Sequence, residues 1–338
     1  MNKSIFADSK ERGPHMTQGT KIIASAHYVP TDVVTNDDLA AIIDTNDEWI
    51  QAHTGIKERH ISLQGENTSD LATQAARQAL AKTNLKPEDI DLIIVTTFTP
   101  DGLAPSTAAL VQRNLQAEGA WAYDISTACA GFIFGMSTAD KFMRSGMYQN
   151  ALVISAEVNS KMMDFTDRTS TVFFGDGAAA FVLTADDDGI VQGEEMHTIG
   201  NDQVVRSGWI EPLKALAADN YPQVKAFHQD GRQVFNEVVR LIPAHIESFL
   251  AKHDLTADDI DYFIPHQANL RIIEALAAEI KQPMSKFITN VAKYGNTSSA
   301  GIAIGLDELM AAESLSGKRV LLTGFGAGFT YGSLLLAF

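Results

Sequence analysis

Two apolar periods alternate along the chain. Short continuous apolar runs, the mark of strands buried on both faces, separate longer segments whose apolar residues recur every three or four positions. Lys21 to Ala26 reads as a first strand. A helix over Asn36–Ile43 follows, capped by Thr35 or Asn36, and a second over Thr45–Ile56 ends at Gly55. Thr68 or Ser69 caps a long helix in which Leu71, Ala72, Ala75, Ala76, Ala79 and Leu80 share a face. Asp91–Thr96 is a buried strand, and a loop with Pro100, Gly102 and Pro105 leads to a helix from about Ser106. Tyr123 to Ser126 reads as the end of a buried strand, and Ala130 onward as an apolar helix carrying Phe132, Ile133, Met136 and Ala139. Ala151–Ala156 is a further buried strand, Gly175-Asp-Gly177 a turn, and Ala178–Leu183 a strand that ends the first half.

The second half repeats the first. The stretch from Leu255 to Ile264 aligns with that from Leu85 to Ile94, and Leu250-Ala-Lys252 matches Leu80-Ala-Lys82 at the same offset. Each half closes on a glycine-rich turn and an apolar strand, from Gly175 and from Gly326. Helix, acidic turn and strand recurring in order indicate an internal duplication. Alternating helices and buried strands give an α/β class, divided into residues 17–185 and 186–338. Sites in such folds lie beyond strand ends, often between halves.

Composition narrows the picture. The 338 residues carry a formal charge of −16, which argues against broad nucleic-acid binding and requires any acidic partner to dock on a local basic patch. A single cysteine excludes an intramolecular disulfide and fits a reducing, cytoplasmic setting. No run of about 18 apolar residues suggests a membrane span. Residues 1–16 are polar, unlike a secretory signal, and Gly13-Pro-His-Met16 reads as an expression-tag remnant, with the native chain starting near Met16.

The one cysteine, Cys129, falls where a strand turns into a helix, among the small residues Ala128, Ala130 and Gly131. Unpaired helix amides and the helix dipole favour a thiolate there, predicting a lowered thiol pKa. The alternative is a small buried hydrophobe. His266, in Pro265-His-Gln-Ala-Asn269-Leu-Arg271, follows the second half's buried strand, whereas His228, His245 and His253 sit among polar residues. A satisfied structural histidine is its alternative. Asn296, in Tyr294-Gly-Asn-Thr-Ser298, taken alone reads more readily as a turn or N-cap residue. The turn Thr323–Phe329 could face its amides to an oxyanion, or be only a tight turn; it matches neither the dinucleotide nor the P-loop pattern. Cysteine can carry an acyl group, while neutral histidine and asparagine can donate to an enolate or oxyanion.

At this point the residues resemble the 3-oxoacyl-[acyl-carrier-protein] synthase III family of the thiolase-like superfamily, from about Lys21 to Phe338. The matching motifs are Asp47-Glu-Trp-Ile50 with Thr54-Gly-Ile56 and Glu58-Arg59, Ala128-Cys-Ala-Gly-Phe132, Thr166-Asp-Arg168, Phe174-Gly-Asp-Gly177, Pro265 to Ile272, Tyr294 to Ser298 and Gly324 to Thr330. The resemblance implies a thiolase-like five-layered αβαβα fold of two duplicated halves and a homodimer. It implies an acyltransferase of fatty acid synthesis with no cofactor. An acyl-CoA primer would acylate Cys129, and malonyl-acyl carrier protein would then lose CO2 and condense with it, His266 and Asn296 stabilising the enolate. The amides of Cys129 and Ala327 would hold the thioester oxygen. Trp49 and Arg168 would sandwich the CoA adenine, Thr45, Gly231, Phe235 and Asn269 would line the pantetheine tunnel, and Arg271 would anchor the carrier protein, with Lys225, Arg232 or Lys281 adding positive charge.

Three departures from the family pattern follow. His53 stands where arginine is usual near the adenine, which predicts weaker CoA binding. Ala327 replaces a glycine, at a cost of about 1 kcal/mol if the turn needs positive φ. Ala104, or Leu103 in a shifted register, is smaller than the phenylalanine that often caps the partner's acyl pocket, which predicts room for branched or medium primers. A condensing enzyme of secondary metabolism, a papain-like protease, a non-catalytic acyl-binding subunit and a thioesterase are the rival readings.

Overall fold

The computed structural model describes residues 19–212 and 223–338; the expected tag segment lies outside the described residues. Two sheets form the centre. We label their strands β1 (Gly19–Tyr28), β2 (Leu92–Thr96), β3 (Trp121–Ile125), β4 (Asn150–Glu157), β5 (Gly177–Asp186), β6 (Val191–Asn201), β7 (Tyr262–Pro265), β8 (Arg319–Gly326) and β9 (Gly328–Ala337). The first sheet runs β1-β5-β4-β2-β3 and the second β7-β8-β9-β6. In the first, β2 is parallel to β3 and β4, and β4-β5 and β5-β1 are antiparallel. In the second, β7 is parallel to β8, and β8-β9 and β9-β6 are antiparallel. The pattern β2-β4-β5-β1 thus recurs as β7-β8-β9-β6.

The helices are α1 (Asn36–Ala40), α2 (Asp47–Thr54), α3 (Thr68–Leu80), α4 (Thr107–Leu115), α5 (Gly131–Arg144), α6 (Gly231–Ala251), α7 (Leu270–Glu279), α8 (Val291–Tyr294) and α9 (Ala300–Ala312). Three buried clusters define how they layer. Leu71 and Val111 of α3 and α4 pack with Val95 and Val182 on the outer face of the first sheet. Phe132 and Met136 of α5 and Ile302 and Leu306 of α9 fill the space between the sheets. Phe249 of α6 and Ile273 of α7 pack with Phe263 and Leu335 on the outer face of the second. The result is the expected five-layered αβαβα arrangement. Helix α9 is buried nearly all round, which suits the middle layer.

Local signals account for most boundaries, with informative differences. The N-cap of α3 is Asn67, not Thr68 or Ser69: its side chain accepts from Thr68 N, and Asp70 reaches back to Asn67 N at 2.8 Å. Helix α1 stops at Ala40, short of Ile43, because the amides of Ile42 and Ile43 both fall on the Leu39 carbonyl and tighten the turn. Gly55 closes α2 with φ 74°. The strand before Cys129 is not buried. As β3 it forms an open edge, with Trp121 49% exposed.

Candidate active site

Cys129 sits in a single 3-10 turn, Ala128–Ala130, between β3 and α5. Its backbone is forced there by a tight approach: a Cβ on Gly326 would come within 2.7 Å of Cys129 N. Ala128 is held at φ 47°, Ser298 at φ 53° and Phe329 at φ 45°. These three left-handed non-glycine residues surround the sulfur, and such positions persist only where packing over-determines them. The Ser298 hydroxyl donates to Cys129 Sγ at 3.2 Å.

Burial pushes the Cys129 thiol up to about 12, against the pull of Ser298 and of the residue's own amide. This overturns the expectation of a lowered thiol pKa. The side chain is partly accessible and lines the cavity. Desolvation favours the neutral thiol in the resting site.

His266 follows the end of β7, its amide donating to the Thr323 carbonyl at 2.8 Å and its ring edge-on to Phe325. It is 3% exposed, and Nδ1 has no partner among the described residues. Burial pulls its pKa down to about 3, so the imidazole is neutral. Asn296 is not a helix cap. It bridges to Phe174, its amide donates to the Phe173 carbonyl at 2.7 Å, and its Oδ1 accepts from Ser298 N at 2.9 Å. That leaves the Asn296 NH2 as the donor group toward the cavity.

Cys129, His266, Asn296 and Ala327 line one cavity of about 340 Å3, walled by Phe98, Phe174, Phe227 and Phe325. A second, of about 320 Å3, shares Gln229, Val234, Ala268 and Asn296 with it and adds His53, Gly231, Phe235, Asn269 and Arg271. The two cavities therefore adjoin through shared wall residues, one reaching Cys129 and the other the region of α2, α6 and α7.

Other predicted residues lie less simply. Trp49 stacks on His53, ring centroids 4.3 Å apart, while Arg168 donates to the Asp44 carbonyl and carboxylate instead of facing Trp49. Thr45 Oγ1 is buried without a partner among the described residues. Asn269 caps α7 by accepting from Ile272 N. Arg271 spends its donors on the Ala52 and Gln51 carbonyls and on Glu274. Leu103 and Ala104 are exposed and line neither cavity. Ala327 is spared the positive φ that Gly328 (74°) and Phe329 take instead, so the alanine carries no left-handed penalty.

Two residues were not singled out from the sequence. Ser298 lay inside a recognised motif, but its contact with the sulfur spans 169 positions. Glu157, at the end of β4, is fully buried and accepts from the hydroxyls of Ser299, Thr99 and Thr97 and the amides of Phe98 and Thr99. Burial pushes it up to about 7. It ties the loop bearing Phe98 to the N-terminus of α9, and an acidic residue ending a buried strand was the available signal.

Residues 123–200 match the sequence model of 3-oxoacyl-[acyl-carrier-protein (ACP)] synthase III, and residues 250–338 that of its C-terminal part. The chain is 55% identical to beta-ketoacyl-[acyl-carrier-protein] synthase III 1 of Lactiplantibacillus plantarum, over 94% of this chain and 98% of that protein. It is 46% identical to the beta-ketoacyl-[acyl-carrier-protein] synthase III of Lactococcus lactis, with the same coverage. The crystal structure of 3-oxoacyl-[acyl-carrier-protein] synthase III from Aquifex aeolicus superposes with a TM-score of 0.87 at 42% identity, over 95% of this chain and all of that one.

Proposed function

The chain belongs to the 3-oxoacyl-[acyl-carrier-protein] synthase III family, and from that premise we propose that it condenses an acyl-CoA primer with malonyl-acyl carrier protein, releasing CoA and CO2 and starting fatty acid synthesis. The observation that carries this reading is the shared cavity of Cys129, His266 and Asn296, which adjoins a second cavity lined by Gly231, Phe235 and Asn269.

In the first half-reaction Cys129 Sγ forms a bond to the primer carbonyl, the bond to the CoA sulfur breaks, and the thiol proton ends on CoA. The developing oxyanion takes the amides of Cys129 and Ala327. In the second, the malonyl thioester loses CO2. Neutral His266 and the Asn296 NH2 donate to the enolate oxygen, and the carbanion attacks the acyl-Cys129 carbonyl. Cys129 leaves as thiolate and takes up a proton. The low pKa of His266 suits this role, since a neutral donor survives across the physiological range. The substrates supply all the chemistry, and no cofactor is assigned.

Trp49, His53 and Arg168 bind the nucleotide end of CoA. Stacking of His53 on Trp49 supports a preformed platform, onto which Arg168 swings from Asp44. Thr45, Gly231, Phe235 and Asn269 follow the pantetheine; the last three line the second cavity, whereas Thr45 lines neither. Arg271 meets the acidic carrier protein by exchanging its half-exposed bond to Glu274.

The exposed edge of β3, with Trp121 among Tyr123, Phe142 and Tyr148, supports a homodimer through that strand, placing Leu103 and Ala104 at the partner's acyl pocket. Residues 17–185 and 186–338 are the duplicated halves. Among the described residues no helix is long and apolar enough to cross a membrane, and the lone free cysteine supports a cytoplasmic setting.

The test is intact-protein mass spectrometry with a panel of acyl-CoAs followed by malonyl-acyl carrier protein. The expected result is an acyl mass on the wild type, absent from Cys129→Ala, that is chased into 3-oxoacyl-carrier protein. An adduct that malonyl-carrier protein cannot discharge overturns the assigned acceptor.

A further inference from the structure

Away from the cavities, on the face of the second sheet that packs against α6, three ligating side chains converge. Glu195 and His197 lie two residues apart on β6 and so point to the same side. Strand β9 places Ser333 opposite Glu195 and Tyr331 opposite His197. His245 comes down from α6 onto this face; it is 7% exposed, contrary to its polar sequence surroundings. One oxygen of Glu195 and one ring nitrogen of each histidine lie within 4.8 Å of one another. We propose that Glu195, His197 and His245 form a binding site for one divalent transition-metal ion, for which zinc is the representative.

Two imidazoles and a carboxylate are the donor set of three-ligand zinc sites, which leave a fourth position to water. Magnesium and calcium favour all-oxygen shells, so the set selects against them. The ligand rings also have partners on this face. His245 Nε2 lies 3.1 Å from Ser333 Oγ, which contacts Thr323 Oγ1 at 3.0 Å. His197 stacks on Tyr331 with centroids 4.9 Å apart, and Tyr331 meets His245 edge-on. Such packing restricts the rings before any ion arrives. The Glu195 and His197 side chains are 21% and 40% exposed, which leaves an entry path on their side.

Without an ion, the carboxylate is satisfied by other donors. Lys252 Nζ lies 2.8 Å from both Glu195 oxygens, and His197 Nε2 lies 2.8 Å from Oε1. An entering ion takes the place of the ammonium, so Lys252 and the metal compete. Lys252 is the exposed C-cap residue of α6 and can swing into water.

The experiment is titration of the full chain carrying Cys129→Ala, which removes the active-site thiol as a ligand. Zinc is titrated in competition with a chromophoric chelator, and cobalt is followed by its visible absorption. The expected result is one equivalent bound, with a cobalt band of tetrahedral intensity. His197→Ala should weaken binding about tenfold or more and abolish the band, and Lys252→Met should tighten it. His197 is partly exposed, so retained condensing activity of His197→Ala in the otherwise wild-type chain shows that the variant folds. No bound ion in the parent chain, or equal binding by His197→Ala, overturns the proposal.

Discussion

The Ser298 hydroxyl and the Cys129 sulfur are 3.2 Å apart, and the amide of the same serine holds Asn296 Oδ1 at 2.9 Å. One residue, in a left-handed conformation, therefore steadies both the proposed nucleophile and the proposed enolate donor. A hydrogen bond to a charged group contributes about 1.5–3 kcal/mol. Ser298→Ala should raise the Cys129 pKa further and slow alkylation at fixed pH by about tenfold or more. The backbone amide that orients Asn296 stays, so discharge of a preformed acyl-enzyme should change much less. An unchanged alkylation profile against pH would sink this account.

His266 and Glu157, two buried groups at the site, act on stability in opposite directions. His266 is depressed from 6.5 to about 3, so its contribution is present above pH 6.5 and is lost as pH falls toward 3. Glu157 is raised from 4.5 to about 7, so its contribution is present below 4.5 and is lost as pH rises toward 7. His266→Gln removes only the first. Urea unfolding at about pH 7 and about pH 5 should show the wild type losing about 2 kcal/mol more than the variant on acidification. Parallel behaviour of the two proteins would remove His266 as a buried neutral group.

Trp121 is half exposed on the open edge of the first sheet, within 5.1 Å of Tyr123 and 5.4 Å of Phe142, ring centroid to centroid. The Tyr123 hydroxyl beside it is buried without a partner among the described residues. Trp121→Glu sets a charge on this edge and should convert the proposed dimer to a folded monomer, read by light scattering on a sizing column. A dimeric variant would move the interface elsewhere.

Leu103 is 82% exposed, and neither it nor Ala104 reaches its own chain's cavity. Any control of primer size by these residues must act across the proposed dimer. Ala104→Phe should leave turnover with acetyl-CoA near the wild-type value and lower it about tenfold or more for branched primers. If wild-type turnover already falls steeply beyond acetyl-CoA, the small residue has not enlarged the pocket.

The apolar periods placed β1 to β5 of the first sheet and β7 and β9 of the second, because side-chain direction in an element repeats over a few residues, whereas β6 was not read and the end of β8, from Thr323, was taken for part of a turn. The duplication was legible for the same reason: residues 85–94 and 255–264 carry one pattern twice. Caps were legible where the capping residue was itself distinctive, as at Thr35 and Gly55, and shifted by one where Asn67 adjoined Thr68. Cys129, His266 and Asn296 stood out by their positions beyond strand ends and within family motifs.

What depends on neighbours distant in the chain was decided only by the tertiary structure. The thiol pKa was expected to fall at a helix start, yet burial by surrounding segments raises it. Strand β3 has the composition of an interior strand but lies at an edge, because strand order is a property of the whole sheet. The left-handed residues of the last turn are Gly328 and Phe329, not Ala327, because backbone contacts around Cys129 set that turn. The meeting of Glu195, His197 and His245 follows from packing α6 on β6, across about fifty residues of sequence. Periodicity records which side of an element is apolar, whereas desolvation, edge exposure and convergence of donors sum over atoms that only folding brings together.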